Sequence, residues 1–261
     1  MQNNKKIPLQ SLREEKYKSI ICYPKYEQEQ FKNRLEELKK LNIDTIEFKG
    51  QKTIHNIPVL GKGCVGIVVT AYRKGEKVAL KIRRTDADRQ TMQHEAEMLQ
   101  KANQTNIGPQ LLGITKNFLS MEYIEGILLP QWIKTAVEKN QQGRLRHVLH
   151  LALEQAWKLD KAGLDHGELS HAPKHIIIRT NDTICIIDFE TASVSRQVSN
   201  VTSICQYLFI GSSTAKLVQR KLGNINKNDL LGALRTYKEK KTKKNFENIL
   251  LRCGLGSSDH I

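Results

Sequence analysis

Acidic residues are in short supply. The 261 residues hold 27 Asp+Glu against 42 Lys+Arg, a formal net charge of +15. A field of that sign attracts phosphate-rich or acidic partners, whether nucleotide, RNA or an acidic protein. Residues 196–261 carry 12 basic and 4 acidic side chains, so +8 of the total lies in the last quarter of the chain. Cysteine is also sparse. Cys22, Cys64, Cys185, Cys205 and Cys253 are odd in number and never form a C-x-x-C pair. That excludes a disulfide framework or zinc knuckle and fits a reducing interior. No apolar run approaches the roughly 18 residues of a membrane span. Residues 1–8 are polar and basic and lack the apolar core of a secretory signal. The expected location is therefore the cytoplasm, with no membrane partner. There is no internal repeat and no low-complexity tract beyond lysine-dense 238–244. The chain as a whole, 39% hydrophobic and 26% charged, is ordinary for a packed protein of one large domain or two intimate lobes.

The chain shows three textures in turn. In 26–41, Phe31, Leu35, Leu38 and Leu41 recur at helical spacing among charges, and the weaker pattern of 9–23 stops at Pro24. Ile43, Ile46 and Phe48 predict a short strand before Gly50. Residues 1–50 thus form a helical extension able to dock on the rest of the chain. From 54 to 82, β-branched runs broken by glycine predict antiparallel strands, with a turn at Lys74-Gly75. A helix is expected over 86–103, then strands at 111–115 and 118–123. Residues 144–161 predict a helix burying Leu145, Val148, Leu149, Ala152, Ala156 and Leu159, stopped by Gly163. Apolar runs at 176–178 and 184–187 flank Asn181-Asp182, a hairpin signal. Helices with a lysine-rich surface occupy the chain from 199 onward.

Chemistry concentrates in four places. Gly61-Lys62-Gly63-Cys64-Val65-Gly66-Ile67-Val68 matches G-x-G-x-x-G-x-V, in which backbone N–H groups can approach phosphate oxygens. The residues after Gly66 favour a strand, not the helix of a dinucleotide fold. A glycine-rich β-turn without nucleotide is the alternative. Val78-Ala79-Leu80-Lys81 places a lysine in an apolar strand, where it needs a partner or must snorkel to solvent. Glu95 is the expected partner because Leu99 then falls on its i+4 core side, with Glu97 as the fallback. Ile186-Ile187-Asp188-Phe189-Glu190 ends an apolar strand on a carboxylate suited to Mg²⁺. Asp165-His166-Gly167-Glu168 leaves the end of the 144–161 helix as a second polar cluster.

In this order the motifs, from about Ile57 to Leu208, resemble the protein-kinase-like superfamily, in particular the short archaeal RIO-like and tRNA-modification-complex-associated Ser/Thr kinases. The resemblance implies an α+β, bilobal kinase-like fold. Its parts would be the extension 1–50, a small antiparallel N-lobe over 51–125 and a shortened helical C-lobe over 126–261. It implies ATP and Mg²⁺ as cofactors and Ser/Thr phosphorylation or ATP hydrolysis as the activity. Gly61, Gly63, Gly66 and Val68 would form the phosphate loop, Lys81 would orient phosphates and Glu95 would hold Lys81. The Glu122 carbonyl and Ile124 N–H would meet adenine, Glu168 would be the base and Asp188 the metal ligand.

The sequence departs from the family at three points. The usual aspartate base is Glu168, one methylene longer, and a misplacement of about 1 Å costs on the order of 10²-fold in rate. The asparagine expected five residues later is Pro173, leaving Lys174 or His175 for the phosphate or metal edge. Mg²⁺ prefers oxygen, so Lys174 on phosphate is the simpler substitute. Glu190 replaces the family glycine, and no long activation segment comes after it.

The family also implies a protein substrate or ribonucleoprotein partner, with RNA contact through the basic C-terminal region. Arg83, Arg84 and Arg89 add charge near the glycine loop. The alternatives are a non-catalytic nucleotide-binding module docked on such an assembly, and a small-molecule kinase, for which no substrate-capture insertion is evident. His166, His171 and His175 beside Cys185 admit a zinc reading, while His147 and His150 read as helix-surface residues. Cys64 reads as a small packing residue or an exposed thiol.

Overall fold

A computed structural model describes residues 6–256, with the side chains of 171–173 set aside. The chain divides into two units, one of residues up to Gln100 with Pro109–Tyr123, the other of Lys101–Gly108 with the residues from Ile124.

The first unit is a sheet with two N-terminal helices on one face. Its strands are β1 (Lys6–Pro8), β2 (Ile43–Glu47), β5 (Gly61–Lys62), β6 (Gly66–Arg73), β7 (Glu76–Arg83), β8 (Leu111–Ile114) and β9 (Phe118–Glu122). They lie in the order β1-β2-β6-β7-β9-β8, all antiparallel, with β5 folded back on β6. A small hairpin, β3 (Lys52–Ile54) with β4 (Ile57–Val59), stands apart from it. Side chains alternate across a strand. Ile67, Val69 and Ala71 of β6 therefore share a face with Val78, Leu80 and Ile82 of β7. That face is buried beneath α1 (Glu15–Ile21) and α2 (Gln28–Lys40), whose Ile20, Ile21, Phe31, Leu35 and Leu38 join the same core. The strand expected before Gly50 is β2, and residues 6–8 add the unexpected β1 to the same sheet, so the extension predicted for 1–50 is not only helical.

Polar groups fasten α2 to the sheet. The buried Arg34 guanidinium donates to the Ile21 carbonyl and to Asn117 Oδ1. Arg83 Nε donates to the same oxygen at 3.0 Å, and Glu37 accepts from the Asn117 backbone and side chain at 2.8 and 2.6 Å.

The helix expected over 86–103 begins only at Gln93, as α3 (Gln93–Asn103). Asp86, which looked like a first-turn acid, is instead gripped by Arg84 two residues back, at 2.8 and 2.7 Å. Arg83 also holds the Arg89 carbonyl. The Arg84–Asp86 contact marks this stretch as loop, because residues two apart do not meet on a helix.

In the second unit β10 (Ile127–Leu128), β11 (Ile176–Ile178) and β12 (Ile184–Ile186) form a three-stranded antiparallel sheet. Asp182 sits at φ 62° in the turn between β11 and β12. Helices α4 (Leu129–Glu138), α5 (Gln142–Lys161), α6 (Asn200–Cys205), α7 (Ser213–Leu222), α8 (Lys227–Glu239) and α9 (Lys243–Arg252) complete the unit. The centre is α5, which buries the six residues expected of its apolar stripe together with Leu153 and packs on α4, α6, α7, α9 and β12.

Inside lies a carboxylate, Asp160. It accepts hydrogen bonds from the Asn200 backbone and side chain, the Val201 N–H and the Tyr237 hydroxyl. Burial pushes its carboxyl above the ordinary range, and those donors pull it back. Among the described residues no helix is long and apolar enough to cross a membrane.

Candidate functional site

In the first unit, the strand alternation that buries Leu80 and Ile82 under the helices sends Lys81 to the opposite face of the sheet. There its ammonium meets Glu95 Oε1, from the first turn of α3, at 2.8 Å, with both side chains about 5% exposed. Leu99, four residues on, is buried, whereas Glu97 is exposed and accepts from Gln93. Val68 lies directly opposite Lys81 in the β6–β7 register.

The glycine motif is the β5–β6 hairpin, closed by the Gly63 N–H on the Gly66 carbonyl at 2.8 Å. Only Gly66 is sterically forced. A Cβ there would stand 2.9 Å from the Ile82 carbonyl oxygen and 3.2 Å from Lys81 Cγ, so β6 starts directly over the lysine stem. Gly61 and Gly63 meet nothing closer than 3.4 Å. Arg84 braces the hairpin, its side chain on the Gly63 carbonyl and its N–H on the Val65 carbonyl. Cys64 is exposed at the tip. Glu122 ends β9, and its carboxylate accepts the Gln110 N–H at 3.2 Å. Ile124 lies in the other unit.

The second unit assembles its polar groups from two loops. After α5, Asp165 exchanges two backbone hydrogen bonds with Ser193. Its buried carboxylate accepts from Arg196 Nε at 2.6 Å and from the Ser199 backbone and hydroxyl. The Thr191 hydroxyl donates to the His166 carbonyl. Gly167 sits at φ 88°, a conformation that side chains rarely adopt, and a Cβ there would stand 3.1 Å from the Thr191 carbonyl oxygen. The loop carrying Glu168 is thereby clasped to the segment after Asp188.

His166 is fully buried, with Nε2 on the Ile187 carbonyl at 3.1 Å and its ring edge-on to Phe189. Burial pushes its pKa down to about 4, so the ring is neutral. His175 is 5% exposed, with Nε2 3.0 Å from Glu168 Oε2 and Nδ1 3.8 Å from Asp188 Oδ2. Burial lowers its pKa too, against the pull of Asp188 and Glu168. Asp188 holds φ 70°, a left-handed conformation that aspartate tolerates better than most residues. Both carboxylates stay about one-third exposed, Glu168 at 36% and Asp188 at 32%. Lys174 is exposed at the end of the 3-10 segment Leu169–Lys174.

Glu168, His175 and Asp188 thus offer ligand atoms within 4.8 Å of one another. Cys185 takes no part in that group and lies buried on β12. The side chain of His171 and the site of the absent asparagine, Pro173, lie outside the described residues. Sequence reasoning missed Thr191, Arg196, Asn200 and Tyr237, none of which carries a local spacing signal.

The protein is thus a two-unit α+β protein with a buried lysine–glutamate pair in one unit and a carboxylate–imidazole cluster in the other. No family model matches the chain. It is 33% identical over 102 residues to the uncharacterized protein MJ1211 of Methanocaldococcus jannaschii, a match spanning 39% of this chain and 83% of that protein. The chain belongs to the same family as that protein.

Proposed function

We propose that this chain is an ATP- and Mg²⁺-dependent phosphotransferase of bilobal kinase-like fold, an atypical RIO-like Ser/Thr protein kinase or an ATPase working in the cytoplasm. The observation that carries the reading is the Lys81–Glu95 pair beneath Gly66. A buried pair is a poor source of stability, so a fold that holds a lysine this way under a glycine hairpin is better understood as presenting its charge to phosphate. In this reading Gly61, Gly63, Gly66 and Val68 form the phosphate loop, Lys81 orients the phosphates, and Glu95 keeps Lys81 extended. The Glu122 carbonyl and Ile124 N–H take the adenine edge, and exposed Lys174 is available to neutralise phosphate.

Asp188 offers the hard oxygen that Mg²⁺ requires, and the ion when bound neutralises charge on the phosphates. Glu168 keeps Oε1 for the acceptor hydroxyl while Oε2 stays on His175. It takes the hydroxyl proton as the acceptor oxygen bonds to the γ-phosphorus and the bond to the ADP oxygen breaks. The test is label from γ-labelled ATP with Mg²⁺, with and without a protein acceptor. Label should reach protein or free phosphate in the wild type and neither in Asp188→Ala. Wild-type protein that binds ATP but turns none over defeats this reading.

That outcome favours a second one, a non-catalytic nucleotide-binding module docked on RNA or a ribonucleoprotein. Its support is the engagement of Glu168 by His175 and the exposed Lys238, Lys240, Lys243 and Lys244 at the α8–α9 junction. Binding of labelled RNA that weakens steeply with salt would support it.

A further inference from the structure

His175 is the least expected member of the second cluster, and its two ring nitrogens face different partners. Nε2 lies 3.0 Å from Glu168 Oε2, a hydrogen-bonding distance at which the carboxylate can only accept. The ring proton therefore sits on Nε2 and Nδ1 carries a lone pair. That lone pair is buried and has no hydrogen-bond partner among the described residues. A buried acceptor left unmatched is costly. Nδ1 faces Asp188 Oδ2 at 3.8 Å, too long for a hydrogen bond, and neither the lone pair nor an ionised carboxylate could donate one. The distance suits two ligands of one ion. Donors about 2.1 Å from a shared cation stand about 3.0 Å apart at right angles and about 4.2 Å apart in line.

We propose that His175 Nδ1 and Asp188 Oδ2 are ligands of one divalent cation, that Glu168 is the carboxylate fixing the His175 tautomer behind it, and that the imidazole makes this site prefer first-row transition ions to Mg²⁺. The arrangement is the carboxylate–histidine–metal relay in which an outer carboxylate orients the ring and raises its basicity. A nitrogen ligand discriminates against Mg²⁺, which favours an all-oxygen shell, and favours Zn²⁺ and other later divalent ions. From the proposed function the inference borrows only that Asp188 holds metal. It also gives a physical reason for a histidine near the place where the resembling family has an asparagine oxygen.

The test uses the full chain without nucleotide, so it is independent of turnover. Mn²⁺ is titrated and followed by loss of the free-ion electron paramagnetic resonance signal, then displaced by Mg²⁺ or by Zn²⁺. In the wild type, Zn²⁺ should displace Mn²⁺ at concentrations at least about tenfold below Mg²⁺. His175→Ala should bind Mn²⁺ more weakly and lose most of that difference, and Asp188→Ala should abolish binding. Glu168→Ala should weaken Mn²⁺ by about 10- to 100-fold. Should His175→Ala fail to fold, the wild type alone decides, because bound Mn²⁺ must show hyperfine coupling to an imidazole nitrogen in echo-modulation spectra. Equal displacement by Mg²⁺ and Zn²⁺, no Mn²⁺ binding, or bound Mn²⁺ without nitrogen coupling would overturn the proposal. Failure of phosphate transfer alone would leave it standing and would count only against the proposed function.

Discussion

The two polar centres solve the problem of charge near the core in opposite ways. Lys81 and Glu95 are both shielded from water and bring opposite charges into contact at 2.8 Å. Glu168 and Asp188 are two carboxylates, each about one-third exposed, on either side of a buried imidazole whose pKa burial lowers. The first centre is built on a direct ion pair held out of water, whereas the second keeps two carboxylates within reach of solvent, where a cation can approach. Stability measurements should therefore respond to the first centre, and ligand-dependent measurements to the second.

Breaking the first pair gives the largest effect. Lys81→Met strands a buried carboxylate, which costs about 3–5 kcal/mol, and urea unfolding should register it. The double variant Lys81→Met/Glu95→Met should recover most of that loss while ATP turnover stays at background. Recovery of turnover along with stability would show that the lysine is structural. Next in size is the second centre. Glu168→Gln should fold like the wild type yet lower turnover by about 10²- to 10⁴-fold, and unchanged turnover removes Glu168 as the base.

A smaller change sharpens the contrast from a third position. Tyr237→Phe deletes one donor to buried Asp160, and a hydrogen bond to a charged group contributes about 1.5–3 kcal/mol. Stability should fall by that amount with turnover nearly unaltered, as measured by thermal unfolding and label transfer. Smallest is Gly66→Ala, whose methyl meets the Ile82 carbonyl oxygen at 2.9 Å. Overpacking of this kind costs about 1–3 kcal/mol, and ATP binding should weaken because the hairpin shifts off Lys81. The same substitution at Gly61, where the nearest atom is 3.5 Å away, should do neither.

Legibility from sequence tracks distance along the chain. Lys81 and Glu95 are only 14 residues apart, and each is fixed by a local period, two for the strand and 3.6 for the helix. Leu99 on the same helix face distinguishes Glu95 from Glu97. The α5 stripe was readable for the same reason. The loop 84–92 was not, because Asp86 and Asp88 look alike whether they start a helix or, as Asp86 does, grip a nearby arginine. Nor was β1, three residues long, whose pairing with β2 depends on a partner about forty residues away. Asp160 and Tyr237 are 77 residues apart, and nothing in the spacing of either points to the other.

What the sequence by itself determined is the set of pieces whose cause is local. These are the excess of positive charge, the alternating strands with one lysine among aliphatics, the glycine hairpin and the amphipathic helices. What only the tertiary structure decided is which charges answer which. It set the face of the sheet that α1 and α2 cover, the clasp of Arg196 on Asp165 and the placing of His175 between Glu168 and Asp188. The physical reason is that backbone periodicity acts over a few residues, whereas a buried polar group is matched by whatever the packed chain brings within about 3 Å. The tautomer of one buried ring therefore depends on side chains 7 and 13 positions away on separate loops.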